Sequence, residues 1–539
     1  LAAIYAFYGA WCVAGQRWVW PLLASDRLID GRAIIATLLA AMMTLGAAAY
    51  GAPLTTDNLA RRLTVAFAPT RRVPTLLVMA FAVFVPVIIA DVVLDRFQNS
   101  GDEFAYFFQA RMFAHGQLWA PAPPLGDTFV PYRTWIIGDK WLSQYPPGWP
   151  LAMAAAIMAG IPAWCVNAVL GGISVAALLT RQWGHRDHAI VLMVVVLYVM
   201  TPFYLMNAGS YYSHMLPALL ITLLCLMCLW YQRERRTLAL IISGVLVGLI
   251  GLTRYFSLIL LLPALLYWWI KECRHDRLRV LGVVVVSGTP FLAILMLYQD
   301  WITGSPFHNT YSLISNDDTF VSFLPGAVTR GALLTFYRFG ELTLWAVPLL
   351  VPTYLFCMAS KLKNRSIAFY DLIFPSFVIG YVFFADLGGN RYGPRYYFEA
   401  FPMMFVTLLS AAPQAGQWAR ELFHRRLGPH LTLTSLVYLT TALPFTAVAY
   451  HRQVVSREEP YRLVAARGLH DAIVIIESSS GRGLDAEDLA RNDADLDGSV
   501  LFARAGTTPD QLRQLYPKRS IWAYNREDPR KPGNLKPVP

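Results

Sequence analysis

The feature that most constrains this chain is the recurrence of apolar runs long enough to cross a bilayer. A spanning helix needs roughly 20 predominantly apolar residues, and about thirteen stretches meet or approach that length. They are 1–23, 32–52, 74–94, 164–180, 188–206, 213–231, 238–252, 255–271, 279–298, 342–359, 369–386, 396–412 and 431–450. Charged residues make up 15% of the 539 and hydrophobic residues 56%, with a mean hydropathy of +0.44. A soluble domain carries about 25% charged residues. The chain therefore reads as an all-α polytopic membrane protein, because helices satisfy their own backbone hydrogen bonds in lipid. Residues 148–161, after QYPPGWP, are too short to span and read as a re-entrant helix.

A formal net charge of +11 invites a nucleic-acid reading, but the positions of the charges exclude it. The basic segments are Arg61–Arg72, Arg181–His188, Tyr231–Arg236, Lys271–Arg279, Lys361–Arg365 and Arg420–Arg426. They sit in loops between apolar runs, and with the spans above all six fall on one side. The positive-inside rule makes that side cytoplasmic. The other side then holds 95–147, Met206–His214, 299–341, Asp386–Pro402 and a tail from about 451, and two of these loops are long enough to carry function.

The tail reads as a small α/β unit. AIVIIE (Ala472–Glu477), SVLFARA (Ser499–Ala505) and SIWAY (Ser520–Tyr524) have strand character. TPDQLRQLY reads as a short helix capped by Thr508. The terminal RKPGNLKPVP is expected to be disordered. Three regions follow: 1–73, an extra N-terminal transmembrane hairpin with its basic loop; 74–450, the main membrane region; and 451–539, the tail. No signal peptide is evident ahead of the first span, which is expected to serve for targeting.

Cys225 and Cys228 have the spacing of a metal or redox pair, but they lie inside a span with no second pair, so they read as small apolar residues. There is no internal repeat and no Walker, Rossmann or zinc-finger pattern. No His/Cys cluster points to a metal, and no cofactor is expected.

SGDEFAYFFQARMFAHG (Ser100–Gly116) places two acids, Asp102 and Glu103, directly after a span. Locally, Ser100 and Glu103 have capping-box spacing, and Asp102 falls in a first turn where the helix dipole favours negative charge. On that reading the helix lies along the membrane face with Phe104, Phe107, Phe108 and Met112 among the headgroups. The next residues favour more. FVPYRTWIIGDKW reads as a hairpin turning at Gly138–Asp139. Pro146 and Pro147 then start the re-entrant helix. Such a loop would hold a carboxylate rigidly at the lipid–water boundary.

The order of span, acidic pair and PP opening a re-entrant helix resembles the polytopic C-type (GT-C) glycosyltransferases. In detail it resembles the protein O-mannosyltransferase and lipid A aminoarabinose transferase superfamily. YGPRYYFEAFP (Tyr392–Pro402), TGSPFHNTY (Thr303–Tyr311) and the tail pattern DLDGSVLFAR…LRQLYPKRSIWAY resemble segments of bacterial members, so the likeness covers roughly 75–539. The resemblance implies a GT-C-like fold in the bacterial inner membrane, with the site and tail facing outward. It implies a polyprenyl-phosphate sugar as donor substrate and an acid at the Asp102 position acting on the acceptor hydroxyl. Two spans precede the family's usual first one. Where relatives often carry Lys before the re-entrant Pro, this chain has Tyr145, and its nearest Lys is Lys140.

A carboxylate can take the proton of an attacking hydroxyl. Asp102 is the expected base, and Glu103 its partner or a helix cap. The lipid phosphate calls for fixed cations. Candidates are Arg391, Arg395, Lys140, Arg133 and Arg254, each of which could instead serve as a headgroup anchor, a solvated residue or a structural ion pair. Tyr145 joins the substrate-binding candidates. His214 could be a second proton carrier or a helix-end residue, and Glu399 an active-site acid or a cap. The acceptor could be a glycan, a lipid or a protein, and membrane lipid is the other partner. A transporter or flippase of a lipid-linked precursor is the competing reading. It would favour ionisable residues at mid-membrane and paired halves, whereas here the ionisable residues collect on the outer side. A non-catalytic scaffold would leave the acidic loop without a role.

Overall fold

The computed structural model describes residues 72–180, 183, 188–308, 310, 323–347, 350–384, 391–423, 428–477, 486–526 and 532–539. The expected spans 1–23 and 32–52, the basic segment up to residue 71, residues 311–322 of the second long outer loop and Asp386 lie outside the described residues.

Among the described residues, four helices are long and apolar enough to cross a membrane: Val73–Val93, Met215–Glu234, Thr237–Glu272 and Arg277–Thr303. A bent pair, Ile190–Val199 and Pro202–Ala208, forms a fifth candidate with a 63° bend. Pro202 sits at the start of the second piece, and Thr201 caps it by accepting the Tyr204 N–H. The expected runs 164–180 and 369–386 form shorter apolar helices, Ala163–Leu178 and Phe369–Phe383. The run expected at 342–359 is not one helix. Pro325–Trp345 ends and Leu350–Lys363 begins across it, and Pro348 disfavours helix at the residue before it. A helix thus starts inside the expected 299–341 outer loop. The thirteen spans that hydropathy suggested are not all present at full length among the described residues.

Helix α1 (Arg72–Ile88) continues as a wider turn over Ile89–Val93 and leads to α2 (Gly101–Ala114). Ser100 has extended backbone and caps α2 by accepting the Glu103 N–H at 3.1 Å. Such a cap contributes about 1 kcal/mol. Gly116, at φ 75°, releases the chain at the far end. Strands β1 (Ala120–Pro121), β2 (Thr134–Ile137) and β3 (Lys140–Ser143) form an antiparallel sheet in the order β1-β3-β2. Gly138, at φ 64°, supplies the left-handed residue that a two-residue hairpin requires. Helix α3 (Gly148–Met158) follows Pro147. The aromatic face of α2 does not lie among headgroups as the local pattern suggested. Phe104, Phe108 and Met112 are buried against Val130 and Trp141 of the folded-back loop.

After α4 (Met215–Glu234) comes α5 (Thr237–Glu272), which is two limbs rather than one rod. Arg254 leaves helical geometry (φ −152°, ψ 88°). Arg235 reaches the carbonyl of Glu272, and Tyr231 packs on Trp268, while Arg254 meets Ser213 at the opposite end of α4. The limbs 237–253 and 255–272 therefore fold back as a hairpin with Arg254 at its tip, matching the two separate runs expected there. Helix α6 (Arg277–Thr303) packs closely against the first limb. A Cβ on Gly244 would lie 2.4 Å from the Val284 carbonyl, and one on Gly248 would lie 2.7 Å from that of Gly288. Small residues thus let the backbones touch, the packing that replaces the hydrophobic effect in lipid.

Among the described residues, three of the basic segments, Tyr231–Arg236, Lys271–Arg279 and Lys361–Arg365, come to one end of the bundle. Arg235 pairs with Asp276, Arg279 donates to Thr237, and Tyr267 donates to the Ile367 carbonyl. The 95–147 loop and the Arg254 tip share the other.

Helix α7 (Gly428–Ala466) runs without a break through the boundary expected at 450. Beyond it, β4 (Ala472–Ile476), β5 (Val500–Arg504), β6 (Ser520–Asn525) and β7 (Asn534–Pro537) form a sheet in the order β5-β4-β6-β7. The central pairs are parallel and β7 is antiparallel to β6. The end of the chain is thus not disordered as expected, because Leu535 is buried against β6 and pairs with Tyr524. Phe129 of the 95–147 loop is buried in this sheet's core, and Asn492 donates to its carbonyl. The sheet therefore rests on the loop that carries Asp102.

Candidate active site

Helix α2 delivers Asp102 to the point where the folded-back loop that follows it meets the 395–400 turn. Its Oδ2 accepts from Arg395 Nη2 at 2.7 Å. Its Oδ1 faces Arg133 Nε at 3.4 Å and accepts the Tyr145 hydroxyl. Burial alone would push this carboxyl up. The charges of Arg395 and Arg133, with the hydrogen bonds from Tyr145 and Arg395, outweigh it and hold the pKa at about 2. Asp102 is therefore an ionised carboxylate at neutral pH.

The carboxylate lines a cavity of about 160 Å³ with Arg133, Arg254 and Arg395. The Arg395 guanidinium lies over the Tyr212 ring at 4.0 Å. Its Nε and Nη1 are buried without a hydrogen-bond partner among the described residues. Buried donors of this kind are costly unless something accepts from them. Arg254 reaches the site because the hairpin turns there. Its Nε stands 2.6 Å from Glu399 Oε1, and its Nη1 donates to Ser213 at 3.2 Å. The tip is held from behind by α3, where a Cβ on Gly148 would fall 2.8 Å from both Thr253 N and Cα.

Glu399 is fully buried. It takes the Ser257 hydroxyl on Oε2, and His214 Nδ1 lies 3.0 Å from Oε1. His214 also lines the cavity. It precedes α4, and burial, then the charges of Arg254 and Arg395, hold its imidazole well below its usual range. Tyrosines fill much of the remaining wall, Tyr106, Tyr212, Tyr381 and Tyr396 among them. Among the described residues no group of three or more His, Cys, Asp or Glu is placed to hold a metal ion.

Of the residues expected at a site, Asp102, Tyr145, Arg395, Arg133, Arg254 and His214 line this one cavity, and Glu399 supports it from behind. Three do not reach it. Glu103 points the other way, accepting the Tyr211 N–H at 3.0 Å and the Ser100 hydroxyl at 3.2 Å. On a helix, adjacent residues face about 100° apart, so only one of the two acids can enter the cavity. Glu103 therefore acts as the cap and tether that local spacing allowed. Arg391 donates to the Asn99 carbonyl, beside the start of α2. Lys140 donates to the Trp301 carbonyl and lies 4.6 Å over Trp119, because the hairpin turns its side chain outward. Tyr106 and Tyr212 were not anticipated. Tyr106 sits four residues after Asp102, on the same helix face, and that spacing was a readable signal.

No protein-family model matches the chain, and no curated protein matches its sequence. Its fold is similar to that of ArnT from Cupriavidus metallidurans in the apo state, with a TM-score of 0.50 and 14% identity, over 83% of this chain and 92% of that one. The same enzyme bound to undecaprenyl phosphate gives 0.49 and 12%, with the same coverage. The Archaeoglobus fulgidus oligosaccharyltransferase in complex with zinc and sulfate gives 0.46 and 15%, over 83% and 68%. The fold is GT-C-like.

Proposed function

We propose that this chain is a membrane glycosyltransferase that moves a sugar from a polyprenyl-phosphate donor to an acceptor hydroxyl. The observation that carries the reading is the cavity itself. One ionised carboxylate stands among three guanidinium groups, and one of these has two buried N–H groups with no partner among the described residues. A phosphate is the ligand that such donors fit, because the planar guanidinium fork matches its oxygens. The GT-C-like fold supports the placement of this chemistry at one end of a helical bundle.

In this reading Arg395 and Arg254 hold the donor phosphate. Asp102 receives the acceptor hydroxyl and takes its proton as the oxygen attacks the anomeric carbon. The bond to phosphate breaks, and the charge that builds on it meets cations already in place. A single displacement inverts the anomeric centre. Phosphate binding also draws Arg395 away from sole service to Asp102. The carboxylate then gains basicity at the moment it is needed. The cavity and the tail face the exterior of a bacterial inner membrane, and the basic end faces the cytoplasm.

The test is release of polyprenyl phosphate by purified protein in nanodiscs, given polyprenyl-phosphate sugars and a cell-envelope acceptor fraction. Wild type should release it, and a folded Asp102→Asn variant should be slower by at least about a hundredfold. Equal release by both would remove Asp102 from the chemistry. Lipid-linked donor crossing the bilayer intact, with no release, would favour the flippase.

A further inference from the structure

The cavity is rich in hydrogen-bond donors and poor in free acceptors. Arg133, Arg254 and Arg395 can only donate. Asp102 already receives Tyr145 and Arg395, and the side-chain oxygen of Gln144 receives the Trp135 indole N–H at 3.0 Å. A sugar presents several hydroxyl hydrogens and needs acceptors for them.

The tyrosine hydroxyls of the wall both donate and accept, whereas His214 offers a neutral acceptor with no hydrogen of its own, because Glu399 fixes its tautomer. The Glu399 carboxylate is surrounded by donors: Arg254 Nε at 2.6 Å and the Ser257 hydroxyl. Burial pushes that carboxyl up, and the Arg254 guanidinium and the Ser257 hydroxyl pull against it; in the ion pair with Arg254 it stands as a carboxylate and accepts the proton on Nδ1, 3.0 Å away. In a neutral imidazole the other nitrogen, Nε2, is then an acceptor only. Nε2 has no partner among the described residues, the side chain is 2% exposed, and the ring lines the cavity. The charged groups facing the ring are Glu399 and Arg395 from the 395–400 turn and Arg254 from the hairpin tip. Burial first, and then the two cations, keep the imidazole from taking a second proton.

We infer that His214, oriented by Glu399, is a specificity-determining residue whose Nε2 accepts a hydrogen bond from one hydroxyl of the donor sugar. The inference rests on the transferase reading above and adds to it a requirement on the sugar. It must carry a hydroxyl, not hydrogen or fluorine, at the position that meets Nε2. A buried acceptor left without its hydrogen penalises the wrong sugar, and sites built this way discriminate strongly.

The experiment uses polyprenyl-phosphate mannose, galactose and arabinose with the full-length protein in nanodiscs. Mono-deoxy and mono-deoxyfluoro analogues of whichever donor is turned over are then compared. Wild type should lose at least about 100-fold in kcat/KM for the deoxy analogue at one ring position, and similarly for the fluoro analogue there. In His214→Leu the penalty at that position should shrink below about tenfold, with those at other positions unchanged. Glu399→Gln keeps the histidine but lets Nε2 carry the proton. It should therefore accept the fluoro analogue better than the deoxy one, because C–F can only accept. Penalties that persist at every position in His214→Leu, or a Glu399→Gln variant with wild-type preferences, would overturn the inference and leave the transferase standing. Failure of wild type to transfer any of the three sugars, or to release lipid phosphate, would overturn both.

Discussion

Tyr145 donates its phenolic hydrogen to Oδ1 of Asp102, across the gap between the hairpin loop and the start of α2. The position directly before the re-entrant proline is thus in contact with the candidate base, although it holds a phenol and not a lysine. A hydroxyl adds a hydrogen bond without adding a charge. Tyr145→Phe should therefore lower kcat by about tenfold or less, since one hydrogen bond is worth about 1 kcal/mol. Steady-state rates would decide it. A loss beyond a hundredfold would mean that Tyr145 itself moves a proton.

Arg395 should set the pH at which Asp102 works. Burial pushes the Asp102 carboxyl up, and Arg395 is foremost among the groups that bring it down to about 2. In wild type, kcat/KM should then show no acid limb from Asp102 above about pH 3. In Arg395→Gln burial dominates, and an acid limb should emerge above the ordinary carboxylate value of 3.8. Affinity for polyprenyl phosphate should fall at the same time. A pH–rate profile that does not move would detach Arg395 from Asp102.

Glu103 makes a different pH prediction. Burial, opposed in part by the Tyr211 N–H and Arg391, raises its carboxyl to about 7. A folded-state value above the unfolded one means stability that is complete below the unfolded value and is lost as pH rises through the folded one. Thermal stability should therefore decline between pH 4.5 and 7, by about 3 kcal/mol at most. Glu103→Gln keeps the acceptor for Tyr211 N–H without the charge. It should flatten that decline and melt higher than wild type at pH 8. Parallel melting curves at pH 5 and pH 8 would contradict this.

Gly148→Ala tests whether the hairpin tip has room to yield. The new methyl would press on Thr253 N and Cα at 2.8 Å, which are backbone atoms and cannot rotate away. The tip should shift and carry Arg254 off Glu399, costing roughly 1–3 kcal/mol of stability. Donor KM should rise more than kcat falls. Unchanged kinetics would mean that Arg254 is not held to its position by α3.

Much of this arrangement was legible in the chain because its signals are local. Ser100 and Glu103 announced the start of α2, Gly138 the hairpin, and Pro146–Pro147 the entry to α3. The break at Arg254 was visible as a charge between two apolar runs. What could not be read was which side chains converge. Lys140 and Arg395 look alike in sequence as outer-side cations. Only the register of β2 and β3, which turns Lys140 toward Trp301, separates them. The role of Glu103 was hidden for a similar reason, since its partner Tyr211 N–H lies in another segment. The strand at Asn534–Pro537 was missed because its proline-rich composition suggested disorder. It folds because β6 offers an open edge.

The helical hairpin also works as a spacer. Limb 237–253 rises 1.5 Å per residue, so Arg254 stands roughly 25 Å from the basic end where Arg235 and Asp276 are tied together. The height of that cation is thus set by a count of residues, and the neighbouring lipid has little part in it. Deleting one turn would sink the guanidinium about 5 Å below the level of Ser213 and leave Glu399 without its counter-charge. The limb between the two ends should therefore tolerate changes of side chain far better than changes of length.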